Sequence, residues 1–279
     1  MRLSYDRAAL FLVLSFTAFP LPQDASGRQF VLASHDFLPA AVSSEEAPLR
    51  LLSLGVAIPI RIGSASTTQG VRFRQMSTDP TDNWPSGVSS SGPYREIRYE
   101  VSVTLPMGSD WTSTVYVSPG IASDLNAPIQ NADWDFRGAL FFEKQERWGL
   151  GVTYRSGFDL QLVPLLKLYR SLGSSLDLEL FLPSRAAVWK TTARNRRYGL
   201  LFQLTSGAYH LGTETISEAD HTVMTIGPGF RGPLAGGKLG WQFSAGFAFV
   251  NDIEFGTGDG EVTVSQGTGL SLGLALLAL

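Results

Sequence analysis

The sequence predicts an all-β protein: a transmembrane antiparallel up-and-down β-barrel of about 12–14 strands that follows an N-terminal signal peptide. The first observation is that apolar and polar residues alternate along most of the chain, as they do on the two faces of a β-strand. The second is that the alternating segments are about ten residues long, the length of a strand that crosses a membrane. The third is a near-neutral mean hydropathy of +0.06, expected when every second residue faces a polar interior.

Residues 238–250 form the clearest of these segments, KLGWQFSAGFAFV. One face of the predicted strand carries Leu239, Trp241, Phe243, Ala245, Phe247 and Phe249. The other face carries only small or polar side chains, Gly240, Gln242, Ser244, Gly246 and Ala248. A strand with one large apolar face and one small, polar face is typical of a barrel wall between lipid and a polar interior.

The same alternation predicts the remaining strands and their order. We expect them at residues 29–39, 50–62, 70–78, 95–106, 111–121, 134–144, 147–157, 160–170, 175–183, 186–192, 196–212, 221–232 and 266–279. A break at Pro183-Ser184 gives the even strand number that bacterial barrels have. It also gathers the longer connectors, residues 42–48, 79–93, 123–133, 214–220 and 251–265, at one end of the barrel.

Aromatic residues near the predicted strand ends indicate interfacial girdles. These residues are Tyr94, Trp111, Trp134, Trp148, Tyr169, Tyr198 and Trp241. The alternative is the general preference of β-strands for aromatic side chains.

The chain divides into a leader, residues 1–27, and a barrel, residues 28–279. Arg2 and Arg7 flank an apolar core at residues 8–19, and a small, polar region follows, as in a secretory signal peptide. We expect cleavage between Phe19 and Arg28 and a location in the outer membrane. The alternative is an N-terminal segment that is disordered or lies on lipid.

Composition excludes several classes of function. The chain has no cysteine, which rules out disulfides, thiolate metal sites and cysteine nucleophiles. Its net charge of -3 gives no support for nucleic-acid binding. Because His35, His210 and His221 are far apart and lack metal-ligand spacing, we expect no metal and no cofactor.

The middle of the chain contains the run SDLNAPIQNADWDFRGALFFEKQERWGLGVTYRSGFDLQLVPLLKLYRSLGSSLDLELFLPSRAAVWK, preceded by HDFLP and SLGVAIPI. These segments resemble a bacterial outer-membrane β-barrel family of unknown function. The firmer points of the resemblance are Ser123-Asp124, residues 149–154, Pro164 and Leu182-Pro183. It implies the fold, the outer membrane with its lipid, and the barrel-assembly machinery as a partner during insertion, but no activity. The non-aromatic end LSLGLALLAL departs from the aromatic terminal residue that is common in such barrels.

Charged residues in the middle of predicted strands point to a polar lumen, because unpaired charges are costly in an apolar core. The candidate lumen charges are Arg98, Glu100, Arg137, Glu143, Asp177 and Glu179. They would form either a selectivity-setting constriction or the salt-bridged plug of a closed barrel.

A second candidate site is a basic cluster, Lys190, Arg194, Arg196 and Arg197, which would contact anions or lipid headgroups. Because the predicted topology puts this cluster in a short periplasmic turn, we favour a solvated turn or contact with inner-leaflet headgroups over an anion-binding mouth. Ser206, His210 and Glu214 are a weaker candidate for hydrolase chemistry. Residues four apart on a strand lie about 13 Å apart, too far for a hydrogen-bonded catalytic pair, so we expect no enzyme.

The sequence therefore favours a passive or selective channel for small solutes. The alternatives are a closed structural or adhesive barrel that acts through external loops and, less favoured, a lipid-modifying barrel enzyme.

Overall fold

The protein is built almost entirely of β-strands. The computed structural model describes residues 33–37, 49–78, 93–125, 128–145, 147–156, 161–192, 196–211, 216–233, 239–257, 260–265 and 268–278. The predicted leader and Arg194 lie outside these residues. In the described part of the chain, no helix has the length and apolar character needed to span a bilayer.

Fifteen strands form a single sheet. They are β1 (Ala33–Phe37), β2 (Leu49–Ile62), β3 (Ala65–Thr78), β4 (Tyr94–Met107), β5 (Trp111–Ser123), β6 (Trp134–Lys144), β7 (Trp148–Arg155), β8 (Leu162–Ser171), β9 (Leu176–Leu182), β10 (Arg185–Thr191), β11 (Arg197–His210), β12 (Ile216–Pro233), β13 (Leu239–Thr257), β14 (Gly260–Ser265) and β15 (Gly269–Ala278). A 3₁₀ helix, Asn131–Asp133, precedes β6.

The strands close into a barrel, which confirms the predicted all-β barrel fold. Strands β5 to β11 form a closed seven-stranded barrel, and the remaining strands extend the sheet. The prediction of purely antiparallel pairing is wrong at one place, because β11 and β5 pair in parallel at His210 and Ser123. A second circuit of antiparallel pairs runs through β12–β13, β13–β15 and β15–β1.

The longest connections between strands lie at one end of the barrel. We call the loop end the one at which β3 leads to β4, β5 to β6 and β11 to β12; the turn end is the opposite one. At the turn end, Gly63 and Gly108 have φ values of 60° and 76°, which glycine adopts without strain in tight turns. The predicted break at Pro183-Ser184 is confirmed, since β9 ends at Leu182 and β10 begins at Arg185. It puts the predicted connectors 42–48, 79–93, 123–133 and 214–220 between strands that are joined at the loop end, whereas 251–265 is not a connector.

The strand count differs from the predicted 12–14 because residues 251–265 are not a loop. Strand β13 continues to Thr257, and β14 pairs back along its loop-end half from Asp252 to Thr257. Strand β15 pairs with the turn-end half of β13, from Leu239 to Ala248. Strands β14 and β15 thus follow one another along the same edge of β13, and β14 forms a hairpin with the loop-end half of β13.

Over most of its height, the barrel wall exposes apolar side chains on the outside and buries polar side chains on the inside. On β2, Leu54, Val56 and Ile58 are 41, 48 and 55% exposed, whereas Ser53 is buried at 2%. Buried charged residues line the inner face of β3, β4, β6 and β8; they are Arg72, Arg98, Asp135 and Lys167. Apolar side chains therefore face outwards and charged ones inwards, the opposite of a water-soluble barrel.

The polarity reverses towards the loop end. On β12 the outward residues near the turn end are apolar, Ile226 and Phe230, whereas the outward residue Glu218 near the loop end is charged. The inward residues show the opposite change, with Arg231 near the turn end and Val223 nearer the loop end. On β13 a bulge accompanies the change, since Met224 pairs with Val250 but Thr225 pairs with Ala248. The extra residue moves odd-numbered side chains from the outer face to the inner face.

An apolar cluster fills the interior at the loop end. Its members are Leu51, Met76, Tyr94, Ala122, Tyr209, Leu211, Ala219, Val223, Ala248, Ile253 and Phe255. Tyr94 was predicted to lie in an aromatic girdle, and that prediction is wrong, because its side chain is only 2% exposed and its ring lies 5.9 Å from that of Tyr209. This cluster covers the charged interior at the loop end.

Candidate functional site: the charged interior

Glu96 is the centre of a cluster of buried charges inside the barrel. Strand β4 places Glu96 and Arg98 on its inner face two residues apart, and Nε of Arg98 donates to Oε1 of Glu96 at 2.7 Å. Arg137 reaches Oε2 of Glu96 at 3.1 Å, and Arg74 lies 3.5 Å from the same oxygen. Glu96 is fully buried. Three guanidinium groups from β3, β4 and β6 thus compensate for the lost hydration of one carboxylate.

Asp135 provides the second carboxylate of this cluster. Its Oδ2 accepts from Nη2 of Arg137 at 2.9 Å, and it forms an ion pair with Arg98. The hydroxyl of Ser156 donates to its Oδ1 at 2.9 Å, and Arg98 also donates to the Ser118 carbonyl at 3.0 Å. The cluster therefore joins four consecutive strands, β4 to β7, and holds the inner face of this wall in one arrangement.

Three contacts extend this cluster across the interior to β11. Nη1 of Arg74 donates to the Ser206 carbonyl oxygen at 3.1 Å, and Nη1 of Arg155 donates to the Ser206 hydroxyl at 2.6 Å. The backbone N–H of Asp124 donates to the His210 carbonyl at 3.3 Å. These bonds fasten β11 to β3, β7 and the end of β5, so opposite walls of the barrel meet near the loop end.

Two smaller groups bridge strands of the same wall, one between neighbouring strands and one across β7. Arg72 on β3 and Glu100 on β4 are 2.9 Å apart, and the Tyr116 hydroxyl on β5 donates to Glu100 at 3.0 Å. Lys167 on β8 forms an ion pair with Glu143 on β6. Both groups lie on the inner face, where a charged side chain without a partner would be costly.

A second cluster surrounds Glu179 on β9. Its Oε1 accepts from Nη2 of Arg231 at 2.6 Å, and its Oε2 accepts from the indole N–H of Trp189 at 2.8 Å. Arg185 lies 3.6 Å from Glu179, and the Arg231 guanidinium stacks 4.4 Å from the centre of the Trp189 ring. The fully buried indole thus takes part in both a hydrogen bond and a cation–π contact. This cluster joins β9, β10 and β12.

Five of the six predicted lumen charges belong to these groups, and Asp177 pairs separately with Arg197. They are not partners of one another in the way their signs suggest. Arg98 and Arg137 meet in the Glu96 cluster, whereas Glu100 and Glu143 pair with Arg72 and Lys167. Asp177 lies 3.9 Å from Arg197, and Glu179 pairs with Arg231. The residues that sequence reasoning missed are Arg72, Arg74, Glu96, Asp135, Arg155, Lys167, Arg185 and Arg231.

A signal for the central residue was present in the sequence. Glu96 lies two positions before Arg98, so the alternation that assigns Arg98 to the inner face assigns Glu96 to it as well. The same parity relates Asp135 to Arg137 and Arg72 to Arg74. Which of these charges meet across the barrel depends on strand stagger and closure, which the alternation does not encode.

The predicted basic cluster is only partly described. Lys190 and Arg196 are exposed at the turn end, and Arg197 is half-buried beside Asp177. The structure therefore separates Arg197, which faces the interior, from the two exposed cations.

The hydrolase candidate does not form a constellation. The Ser206 hydroxyl accepts from Arg155, and His210 accepts from the Asp124 N–H through its backbone carbonyl. Glu214 lies outside the described residues. Within the described ranges, no group of three or more histidine and carboxylate side chains is placed to hold a metal ion.

Comparison with known proteins gives no relative. No protein-family model, no curated protein and no solved structure matches the chain. The resemblance to an outer-membrane family therefore stays a prediction, and the functional argument depends on the geometry alone.

Proposed function

We propose that this protein is an outer-membrane β-barrel with a closed lumen, which anchors its loop end at the outer face of the membrane. The observation that carries the proposal is the inverted polarity of the wall. Exposed apolar side chains on β2, β4, β6, β7 and β8 surround an interior of buried ion pairs. Water would favour the opposite arrangement, whereas hydrocarbon outside and a polar network inside satisfy both sets of side chains.

The height of the apolar band supports a membrane span. Trp134 begins β6 at the loop end and is 59% exposed, while Trp111 and Trp148 pack edge to face at the turn end with ring centres 5.2 Å apart. The eleven residues of β6 separate these two aromatic positions. At a rise of about 3.4 Å per residue and a strand tilt of roughly 40°, they span about 26 Å along the barrel axis, close to the apolar band of known outer-membrane barrels.

The reversal of polarity marks one edge of this band. Beyond Met224 on β12 and the bulge on β13, outward residues such as Glu218 and Glu254 are exposed and inward residues such as Ile253 are buried. This part of the barrel follows the rule of water-soluble proteins. Because longer connections of bacterial barrels face outwards, we place the loop end outside the cell and the turn end in the periplasm.

The filled interior favours the closed barrel over the channel that the sequence favoured. Arg74 and Arg155 connect opposite walls through Ser206, and the apolar cluster lies above them at the loop end. An open channel requires a continuous polar path, and these contacts occupy it. The protein would then act through its loop-end surface, as a structural or adhesive barrel.

The membrane proposal is tested by fluorescence quenching in vesicles of brominated phospholipid. Two single-tryptophan variants are compared, one retaining Trp134, which is 59% exposed, and the other retaining Trp189, which is fully buried. We expect bromine to quench Trp134 strongly and Trp189 hardly at all, because only Trp134 would contact lipid. Equal, weak quenching of both would contradict the proposal.

The closed state is tested by recording currents across planar lipid bilayers that contain the purified protein. We expect insertion without stable conductance steps. Discrete, long-lived steps from the unmodified protein would instead establish the channel as its function.

A further inference from the structure

Between Thr205 and Tyr209, β11 pairs with β12 and with no other described strand. Its ladder with β10 ends where Arg185 pairs with Gln203, and a last bond joins the Leu204 N–H to the Ser184 carbonyl. Its ladder with β12 continues to His210. We call Thr205–His210 the β11 flap.

The flap leaves the course of the wall and crosses the larger circuit of strands, and its contact with β5 closes the seven-stranded barrel. There it pairs with β5 at a single position, His210 beside Ser123, in parallel. The wall beside β11 is lower because its neighbours β10 and β9 have seven residues each, against fourteen in β11. The free edge of β11 therefore crosses space that longer β9 and β10 strands would otherwise occupy.

The flap is held by its ladder with β12 and by Tyr209 in the apolar cluster, whereas its contacts to β3, β5 and β7 are few and polar. Ser206 accepts from Arg74 and Arg155, and His210 accepts from the Asp124 N–H. The main apolar contact to the opposite wall is the ring of Tyr209 against that of Tyr94. Water in an opened lumen would satisfy the same carbonyl and hydroxyl oxygens, so exchanging these bonds for water costs little.

The ion pairs do not depend on the flap. Glu96 keeps Arg98 and Arg137 whether or not Arg74 also reaches Ser206. Arg74 itself lies 3.5 Å from Glu96, so its charge has a partner in either state. Movement of the flap would therefore leave the ion pairs of Glu96 intact, which distinguishes it from rupture of the wall.

We propose that the β11 flap is a gate, hinged near Leu204, that closes the lumen of this barrel and opens it to ions and small polar solutes. The proposal rests on the proposed membrane barrel and adds a second, conducting state to it. The closed state is the one in which Arg74, Arg155, Asp124 and Tyr94 hold the flap against the opposite wall.

The experiment uses the absence of cysteine from the chain. Arg74→Ala removes the bond to Ser206, and we expect its open fraction in planar bilayers in KCl to rise about five- to tenfold, the effect of losing about one net hydrogen bond. Ser123→Cys and His210→Cys are then added to this variant, at positions paired in register. Oxidation should abolish the conductance, and dithiothreitol should restore it.

A matched control places the disulfide inside the wall instead of across the gate. Thr104 and Thr114 pair on β4 and β5, and their hydroxyls are 2.9 Å apart. Thr104→Cys with Thr114→Cys in the Arg74→Ala background should conduct equally when oxidised and reduced. Conductance that falls on oxidation of the control as much as in the gate variant would overturn the proposal.

A second opening variant covers the event that Arg74→Ala does not fold. Tyr94→Leu removes the aromatic contact to Tyr209 and leaves every ion pair in place, and we expect it to raise the open fraction similarly. Insertion of both variants without conductance would overturn the gate but not the membrane barrel. Failure of the unmodified protein to float with vesicles would overturn both.

Discussion

Glu96 and Arg137 lie on β4 and β6, two strands that are not neighbours, yet their side chains meet at 3.1 Å. They meet over β5, where Gly120 leaves room: a Cβ on Gly120 would lie 2.6 Å from Cγ of Arg98. The ion pair therefore depends on the concave inner surface of a closed wall and on one small residue below it. It links three strands that the backbone ladder already joins, which makes this wall rigid.

Removing the charge of Glu96 should destabilise the barrel strongly. Glu96→Gln keeps the shape of the side chain but leaves Arg74, Arg98 and Arg137 short of one buried carboxylate. We expect the free energy of unfolding to fall by about 3–5 kcal/mol, measured by denaturant titration in lipid vesicles. The control is Glu218→Gln on the exposed face of β12, which should change it by less than about 0.5 kcal/mol. Equal effects would refute the central role of Glu96.

Gly227 should tolerate no side chain. A Cβ there would lie 2.0 Å from the Ala245 carbonyl oxygen, a backbone atom in the neighbouring strand that cannot move aside. We expect Gly227→Ala to impair folding, seen as loss of the heat-resistant compact band on electrophoresis. Gly138→Ala is the control, because its nearest contact would be an ordinary 3.5 Å, and it should assemble as the unmodified protein does.

Gly207 provides space for the His221 ring. A Cβ at Gly207 would lie 2.6 Å from Cε1 of His221 and 3.2 Å from Nη1 of Arg74. We expect Gly207→Ala to cost about 1–3 kcal/mol through overpacking. In a double-mutant cycle, His221→Ala should remove most of that cost, because it removes the ring that the new methyl group meets. Additive effects of the two substitutions would show that the contact is not the cause.

A charge on the apolar band should be costly in proportion to its depth. Leu140 is 42% exposed near the middle of β6, whereas Leu172 is 50% exposed in the turn that follows β8. We expect Leu140→Arg to destabilise the protein in vesicles by about 2–4 kcal/mol and Leu172→Arg by no more than about 1 kcal/mol. In a water-soluble barrel the two exposed positions would respond alike, so this comparison also tests the membrane proposal.

Sequence reasoning located the strands well where one face is uniformly apolar. The predicted segment 134–144 coincides with β6, and the break at Pro183-Ser184 falls between β9 and β10. It failed at β14 because the loop-end half of β13 reverses its polarity after a bulge. After the bulge, the apolar residues of β13 fall on odd positions of the opposite face, so the regular alternation is interrupted. The short segments on either side of the hairpin then resemble a polar loop in the sequence.

The sequence predicts that charged side chains face the interior, but it does not predict which of them form ion pairs with one another. Charges with the parity of Arg98 had to face inwards, yet the partner of each depends on contacts between strands such as β4 and β6 or β3 and β11. The parallel contact of His210 with Ser123 has no trace in local periodicity. It arises because β9 and β10 end early and leave the edge of β11 free.

The sequence by itself determined the strands, their alternation and the division between an apolar outer face and a charged inner face. These properties follow from the two-residue period of a strand and need no knowledge of neighbours. Only the tertiary structure decided that the interior is filled, that Glu96 gathers three arginines, and that β11 folds across to β5. Those features depend on stagger, curvature and strand length acting together, which bring into contact residues as distant in the chain as Arg74 and Ser206.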